Sequence, residues 1–131
     1  MTALDSNILV RYFVQDDPQE ARLAANIVGS LTQTEPGWVG VVVLAEVVWT
    51  LKRVYHYSRD GITRIIEILL SSDQIVIEQE VAVRNAFALY RNGKADFADC
   101  LIAASAKAAG CARTVTFDRI AARDAGMELV Q

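Results

Sequence analysis

Four carboxylates, Asp5, Glu46, Asp99 and Asp118, fall where strand-like apolar runs hand over to helical patterns or just inside a helix. Side chains of this kind bind hard divalent cations through oxygen. Each also has an ordinary local explanation. Asp5 and Asp118 follow apolar runs and open helices, where a carboxylate commonly accepts bonds from the free backbone N–H groups. Asp96 and Asp99 stand three apart, the spacing of a capping box in which Asp96 is the N-cap and Asp99 its partner. Glu46 interrupts a run of bulky apolar residues from Val41 to Trp49, and with Thr50 and Arg53 it makes a polar stripe on a helix face.

Taken together the four say more. In a parallel α/β fold the helix starts that follow strands line the carboxyl edge of the sheet, where ligands bind. The expectation is that the four acids face one another there. Two carboxylates about 4 Å apart repel by roughly 4 kcal/mol at an effective dielectric near 20, so four together require a cation. Mg²⁺ suits a few carboxylates plus water, and Mn²⁺ accepts similar ligands. His56 is the only histidine, and Cys100 and Cys111 are the only cysteines, so a zinc site of imidazoles or thiolates has too few ligands. The cysteines show no CxxC spacing and read as reduced, mostly buried small apolar residues.

These residues need a scaffold. The chain has 131 residues, 53% hydrophobic and 22% charged, enough for one folded domain spanning residues 1–131 without disulfides. No internal repeat or Gly/Ser linker interrupts the apolar pattern. A net charge of -3 gives no bulk attraction for polyanions, which argues against a simple nucleic-acid coating protein. Met1 to Asp5 lacks the basic start and apolar stretch of a signal peptide, and no apolar run reaches membrane-spanning length. The expectation is a cytoplasmic protein with no membrane contact.

Short β-like runs alternate with longer helical ones, the pattern of a mainly parallel sheet between helical layers. A strand ends at Leu4-Asp5, and a helix follows from Ile8 to Val14. Asp17 offers an N-cap with Pro18 at the first helical position, opening a helix toward Leu31. Trp38 to Val42 reads as the second strand and about Val43 to Tyr55 as the next helix. Ser58 and Asp60 precede a helix carrying Ile62, Ile65, Ile66, Leu69 and Leu70. Ile75 to Ile77 is a strand, Val81 to Tyr90 a helix stopped by Asn92-Gly93, and Phe97 to Ala109 a helix opened by Asp96 and ended by Gly110. Thr114 to Phe117 is a strand, Asp118 to Ala125 a short helix ending at Gly126, and Met127 to Val130 an edge strand.

The segments Leu4-Asp5-Ser6-Asn7-Ile8-Leu9-Val10-Arg11, Leu44-Ala45-Glu46-Val47-Val48-Trp49, Ala95-Asp96-Phe97-Ala98-Asp99 running into Leu101-Ile102-Ala103-Ala104, and Thr114-Val115-Thr116-Phe117-Asp118 occur in order along nearly the whole chain. In these segments the sequence resembles PIN-domain nucleases, and within them the VapC-type toxins of type II toxin-antitoxin systems. The resemblance implies a three-layer α/β/α sandwich with a central, mainly parallel sheet of four to five short strands. It places the family's four acids on Asp5, Glu46, Asp99 and Asp118. Asn7 matches the Asp-x-Asn opening, Thr116 the hydroxyl residue two positions before the fourth acid, and Asp96 an additional acid of the subgroup. Asp99 is favoured over Asp96 as the residue facing the metal, because the small apolar run follows it directly.

What the resemblance implies is a Mg²⁺-dependent endoribonuclease cleaving single-stranded or looped RNA, with Mn²⁺ as an alternative ion. Asp5 and Asp99 would bind an ion most directly, Asp118 through water, and Glu46 would orient the attacking water or help a second ion. The products would carry 5′-phosphate and 3′-hydroxyl ends. Arg11, Lys52, Arg53 and Lys94 are candidates to grip the RNA backbone, against the ordinary reading of each as a solvated cation. A homodimer and a cognate antitoxin are also implied, with the helices near Val47 to Tyr57 and Ile62 to Leu70 as docking surfaces or, more commonly, as core.

Other classes fit less well. A receiver-like Mg²⁺-binding signalling domain would need paired acids after the first strand and a Lys within Thr114 to Phe117, where there is none. A haloacid-dehalogenase-type phosphatase would need an Asp where Asn7 stands. A PIN module that only binds partners would not need the complete acid set, whereas a PIN nuclease of RNA processing, with no antitoxin, would.

Overall fold

Local capping chemistry starts most of the helices in the computed structural model, which describes residues 1–131. The chain sorts into two compact units, Met1–Glu78 and Gln79–Gln131. In the first, β1 (Thr2–Ala3) leads into α1 (Ser6–Val14), capped by Asp5. Asp17 accepts a bond from the Glu20 N–H at 3.0 Å with Pro18 at the first helical position, so α2 (Pro18–Gly29) starts where a cap and a preset φ coincide. Ser58 Oγ accepts from the Gly61 N–H at 3.1 Å and opens α4 (Arg59–Ser71) in the same way. β2 (Gly37–Val39) and β3 (Ile75–Ile77) complete a parallel three-stranded sheet of order β1-β2-β3, with Thr2 opposite Gly37 and Gly37 opposite Ile75.

The handover from β2 to α3 (Val41–Arg53) departs from the sequence reading, which carried the strand through Val42. Val41 and Val42 are helical instead. The helix begins without a side-chain cap of its own, at Gly40, and the Val41 N–H donates to Glu78 Oε1 at 2.8 Å. A carboxylate 37 residues away thus satisfies a donor at the helix start, and β-branched residues that favour strands are held in a helix. The core of this unit is Leu4, Leu9, Val39, Leu44, Val47, Leu51, Ile62, Ile66, Leu69 and Ile77. Most apolar positions of α3 and α4 therefore serve as core, leaving Val42, Trp49 and Ile68 exposed, with Val54 exposed just past the end of α3.

The second unit holds α5 (Glu80–Asn92), α6 (Phe97–Ala108), β4 (Val115–Thr116), α7 (Arg119–Asp124) and β5 (Glu128–Leu129). Tyr90 and Phe97 meet edge to face at 5.5 Å between α5 and α6, over Val83, Ala86, Cys100 and Leu101. β4 and β5 pair in parallel, Val115 opposite Glu128, with α7 as the crossover. Gly110 after α6 and Gly126 after α7 have φ of 92° and 72°, the left-handed conformation that glycine adopts freely at helix ends. Every strand pairing is parallel, as expected, but the five strands form two ladders, of three and two strands. Cys100 is buried and Cys111 exposed, so the expectation of burial fails at Cys111, which lies beyond the end of α6. No helix is long and apolar enough to cross a membrane.

Candidate active site

In residues 1–78 one serine joins two acids. Asp5 is extended, at φ -79° and ψ 160°, and its Oδ1 accepts the Ser6 N–H at 2.7 Å. Ser6 Oγ donates to Glu46 Oε2 at 2.9 Å and lies 3.5 Å from Asp5 Oδ1. Asp5 and Glu46 are both exposed. Glu46 is the sixth residue of α3, about two positions further in than expected, because the helix starts at Val41. Asn7 is exposed at the second residue of α1. Ser6 was not singled out from the sequence. Its position within the Asp-x-Asn opening was a signal, but its partner is 40 residues away.

Arg11, one turn beyond Asn7, is engaged elsewhere. Its guanidinium bonds Glu20 at 2.7 Å, Asp16 at 2.9 Å and the Tyr55 hydroxyl at 3.2 Å, and Tyr55 in turn donates to Asp16 at 2.9 Å. The Glu20 bond holds Arg11 more firmly protonated than usual, and the Tyr55 hydrogen bond lowers the Asp16 pKa. This closed network ties α1 to the start of α2 and to the end of α3. Lys52 and Arg53 are exposed in the last turn of α3.

In residues 79–131 the acids crowd. Asp96 is the N-cap of α6 by backbone position, but its side chain does not cap the helix, so the capping box expected of Asp96 and Asp99 does not form. Asp99, half-buried in the first turn, has its pKa raised, first by burial and then by repulsion from Asp118 and Asp96. Asp118 does cap: its Oδ1 accepts the Ile120 and Ala121 N–H groups at 2.8 and 2.9 Å. Thr116 Oγ1 accepts the Asp118 N–H at 3.0 Å and fixes the turn from which that carboxylate projects.

The loop before α6 is strapped to α7. The Lys94 N–H donates to Asp124 Oδ2 at 2.8 Å, and Arg123 grips the same carboxylate at 2.8 and 3.0 Å. Those bonds, Arg123's first, pull the Asp124 pKa down to about 2. Gly93 is required by the approach, since a Cβ there would stand 2.9 Å from Asp124 Cβ. The Lys94 side chain stays exposed. Asp124 was missed in the sequence, where nothing in the local pattern distinguishes it from a solvated acid.

The donor set suits a hard divalent cation. Asp96, Asp99 and Asp118 are carboxylates close enough for Asp99 to respond to both neighbours, and a cation relieves that repulsion. Nowhere do three or more His, Cys, Asp or Glu side chains form a ready-made protein cage. Mg²⁺, which keeps several waters and takes one or two carboxylates, does not need one.

A family model described as PIN domain matches residues 2–126. The chain is also 28% identical over 120 residues to a protein named VapC ribonuclease from Aquifex aeolicus (strain VF5), an alignment covering 91% of this chain and 88% of that protein. The chain belongs to the PIN-domain family. These matches bear out the resemblance to VapC-type PIN-domain proteins seen in the sequence motifs. Nucleases of this family generally use divalent metal ions.

Proposed function

We propose that this chain is a metal-dependent endoribonuclease, the toxin of a type II toxin-antitoxin pair, working in the cytoplasm as a single PIN domain over residues 1–131. The observation that carries the reading is Asp99, half-buried beside Asp118 and Asp96 with its pKa raised, in a chain whose family is nucleolytic. Such a cluster costs stability unless a cation is part of the working protein. Similarity to a protein named VapC ribonuclease supports RNA as the substrate, and a cognate antitoxin and a homodimer are the partners that the family resemblance implies.

Asp5, Asp99 and Asp118 are the residues that would hold Mg²⁺ or Mn²⁺, with Asn7, Asp96 and Thr116 in support. When bound, the ion lowers the pKa of water and neutralises phosphate oxygens. Glu46 has one carboxylate oxygen on Ser6 and the other left to accept a proton from, and so orient, the attacking water. Asp118 is held still by its two cap bonds, so its remaining oxygen is presented without loss of side-chain entropy. Attack of water on phosphorus with departure of the 3′-oxygen leaves 5′-phosphate and 3′-hydroxyl ends. Arg53 and Lys94 suit the RNA backbone better than Arg11, which Glu20, Asp16 and Tyr55 already occupy; Lys52 lies beside Arg53 on the same helix end.

The test is cleavage of defined RNAs by purified protein with Mg²⁺ or Mn²⁺ against EDTA, alongside Asp5→Asn. EDTA and the substitution should each abolish cleavage with the circular dichroism spectrum unchanged. Full cleavage by the purified mutant would refute the assignment. Co-purification with the product of a small adjacent reading frame, and loss of cleavage in that complex, would separate a toxin from a PIN nuclease of RNA processing.

A further inference from the structure

Phe117 is the most exposed large hydrophobic side chain of the protein, at 83%, and it immediately precedes Asp118. The other three phenylalanines are buried or half-buried, and Phe13, Phe87 and Phe97 each have an aromatic or cationic neighbour. Phe117 has none. A ring left in water forgoes burial that the fold gives to almost every other aromatic.

The backbone that carries the ring is pinned on both sides. Thr116 O accepts the Val130 N–H at 2.8 Å, Thr116 Oγ1 accepts the Asp118 N–H at 3.0 Å, and Asp118 Oδ1 takes two helix N–H groups. The ring is therefore displayed from a fixed turn and does not hang from a loose loop. On its other flank Arg119 is exposed and makes no ion pair. An exposed apolar ring two residues before an exposed, unpaired arginine matches one ligand chemistry closely, a nucleotide, whose base stacks on aromatic rings and whose phosphate accepts from arginine.

We propose that Phe117 is the stacking platform for one unpaired nucleobase of the RNA, adjacent to the cleaved bond, with Arg119 taking a neighbouring phosphate. The proposal rests on the ribonuclease reading and deepens it. It makes Phe117 a specificity-determining residue: a paired base cannot present its face to the ring, so the site selects single-stranded or looped RNA.

The experiment combines protein and RNA substitutions. Binding of a single-stranded RNA is measured by fluorescence anisotropy in the Asp5→Asn background, and single-turnover cleavage is measured with Asp5 intact. Phe117→Ala should weaken binding by about 5- to 150-fold, the range for one stacked base, while Phe117→Trp and Phe117→Tyr retain it and Phe117→Leu does not. Replacing the stacked base by an abasic nucleotide should cost the wild type a similar factor, and Phe117→Ala should then cost nothing more. Full additivity of the protein and RNA changes at every position flanking the cleaved bond would overturn the proposal. Rescue by Leu would overturn it too, as would an effect of Phe117→Ala on sedimentation but not on RNA binding, which would point to a second copy of the chain as the occupant. If instead EDTA and Asp5→Asn leave cleavage intact, the metal-nuclease reading fails, and the abasic binding arm still decides the stacking.

Discussion

The two acid groups solve like-charge crowding differently. In residues 1–78, Asp5 and Glu46 are exposed to water, and Ser6 donates its hydroxyl to Glu46 at 2.9 Å and its N–H to Asp5 at 2.7 Å. In residues 79–131, Asp99 is half-buried, and burial first, then repulsion from Asp118 and Asp96, raises its pKa. Water and a hydroxyl screen the first group at all times. In the second, burial and the neighbouring charges favour the protonated form of Asp99, and a bound cation would favour its charged form. Binding of an ion should accordingly be felt most strongly at Asp99.

The largest effect expected is a reversal at that residue. Asp99→Asn removes a half-buried charge and two repulsions, so it should abolish cleavage yet raise the melting temperature of the protein in EDTA. Adding Mg²⁺ should raise the melting temperature of the wild type but not of the variant, because an ion that binds only the folded state stabilises it by mass action. The corresponding Glu46→Gln change should leave the melting temperature in EDTA nearly unmoved. Scanning fluorimetry with and without Mg²⁺ checks all three, and a fall for Asp99→Asn in EDTA would show that Asp99 contributes structure and stores no repulsion.

The strap behind the second group comes next. Gly93→Ala drives a Cβ to 2.9 Å from Asp124 and should cost about 1–3 kcal/mol by urea unfolding, in the range of overpacked sites. Asp124→Asn keeps the volume but loses the charge-assisted bonds to Lys94 N–H and Arg123. Because the folded-state pKa of Asp124 is depressed to about 2, below the roughly 3.9 of an unfolded aspartate, its contribution is fully present above that higher value and is lost as pH falls toward 2. The wild-type melting temperature should thus drop more steeply between about pH 4 and pH 2 than that of Asp124→Asn. Parallel curves in that window would remove Asp124 from the account.

What the sequence made legible was what is local. Asp17-Pro18 and Ser58 announced their helices because a cap and its N–H partner lie within three residues. Asp118 was legible both as a cap and as an acid, and it is a cap on one oxygen. The misplaced start of α3 is the counterexample, since Val41 and Val42 have strand-forming side chains and only the bond to Glu78 shows why the helix claims them. The partition into two ladders, the Ser6 bridge over 40 residues and the Lys94–Asp124 strap over 30 depend on pairings that no spacing encodes. Motif order pointed to the four acids and to Thr116 two positions before Asp118, while the distant partner Asp124 had no local signature.

Ser6 offers the finest cut between the two groups. Ser6→Ala removes the donor from Glu46 Oε2 but leaves both acids, the cap geometry and the exposed surroundings, so stability should change little. If Glu46 orients water, its carboxylate loses one of the bonds that aim it, and kcat should fall by roughly tenfold, the lower end for lost outer partners of a functional group, with KM unchanged. Ser6→Thr restores the hydroxyl and should recover most of the rate. A rise in KM with kcat intact would instead make Ser6 a binding residue. An unchanged rate would mean that the first group needs no intermediary, and that water alone keeps its two acids apart.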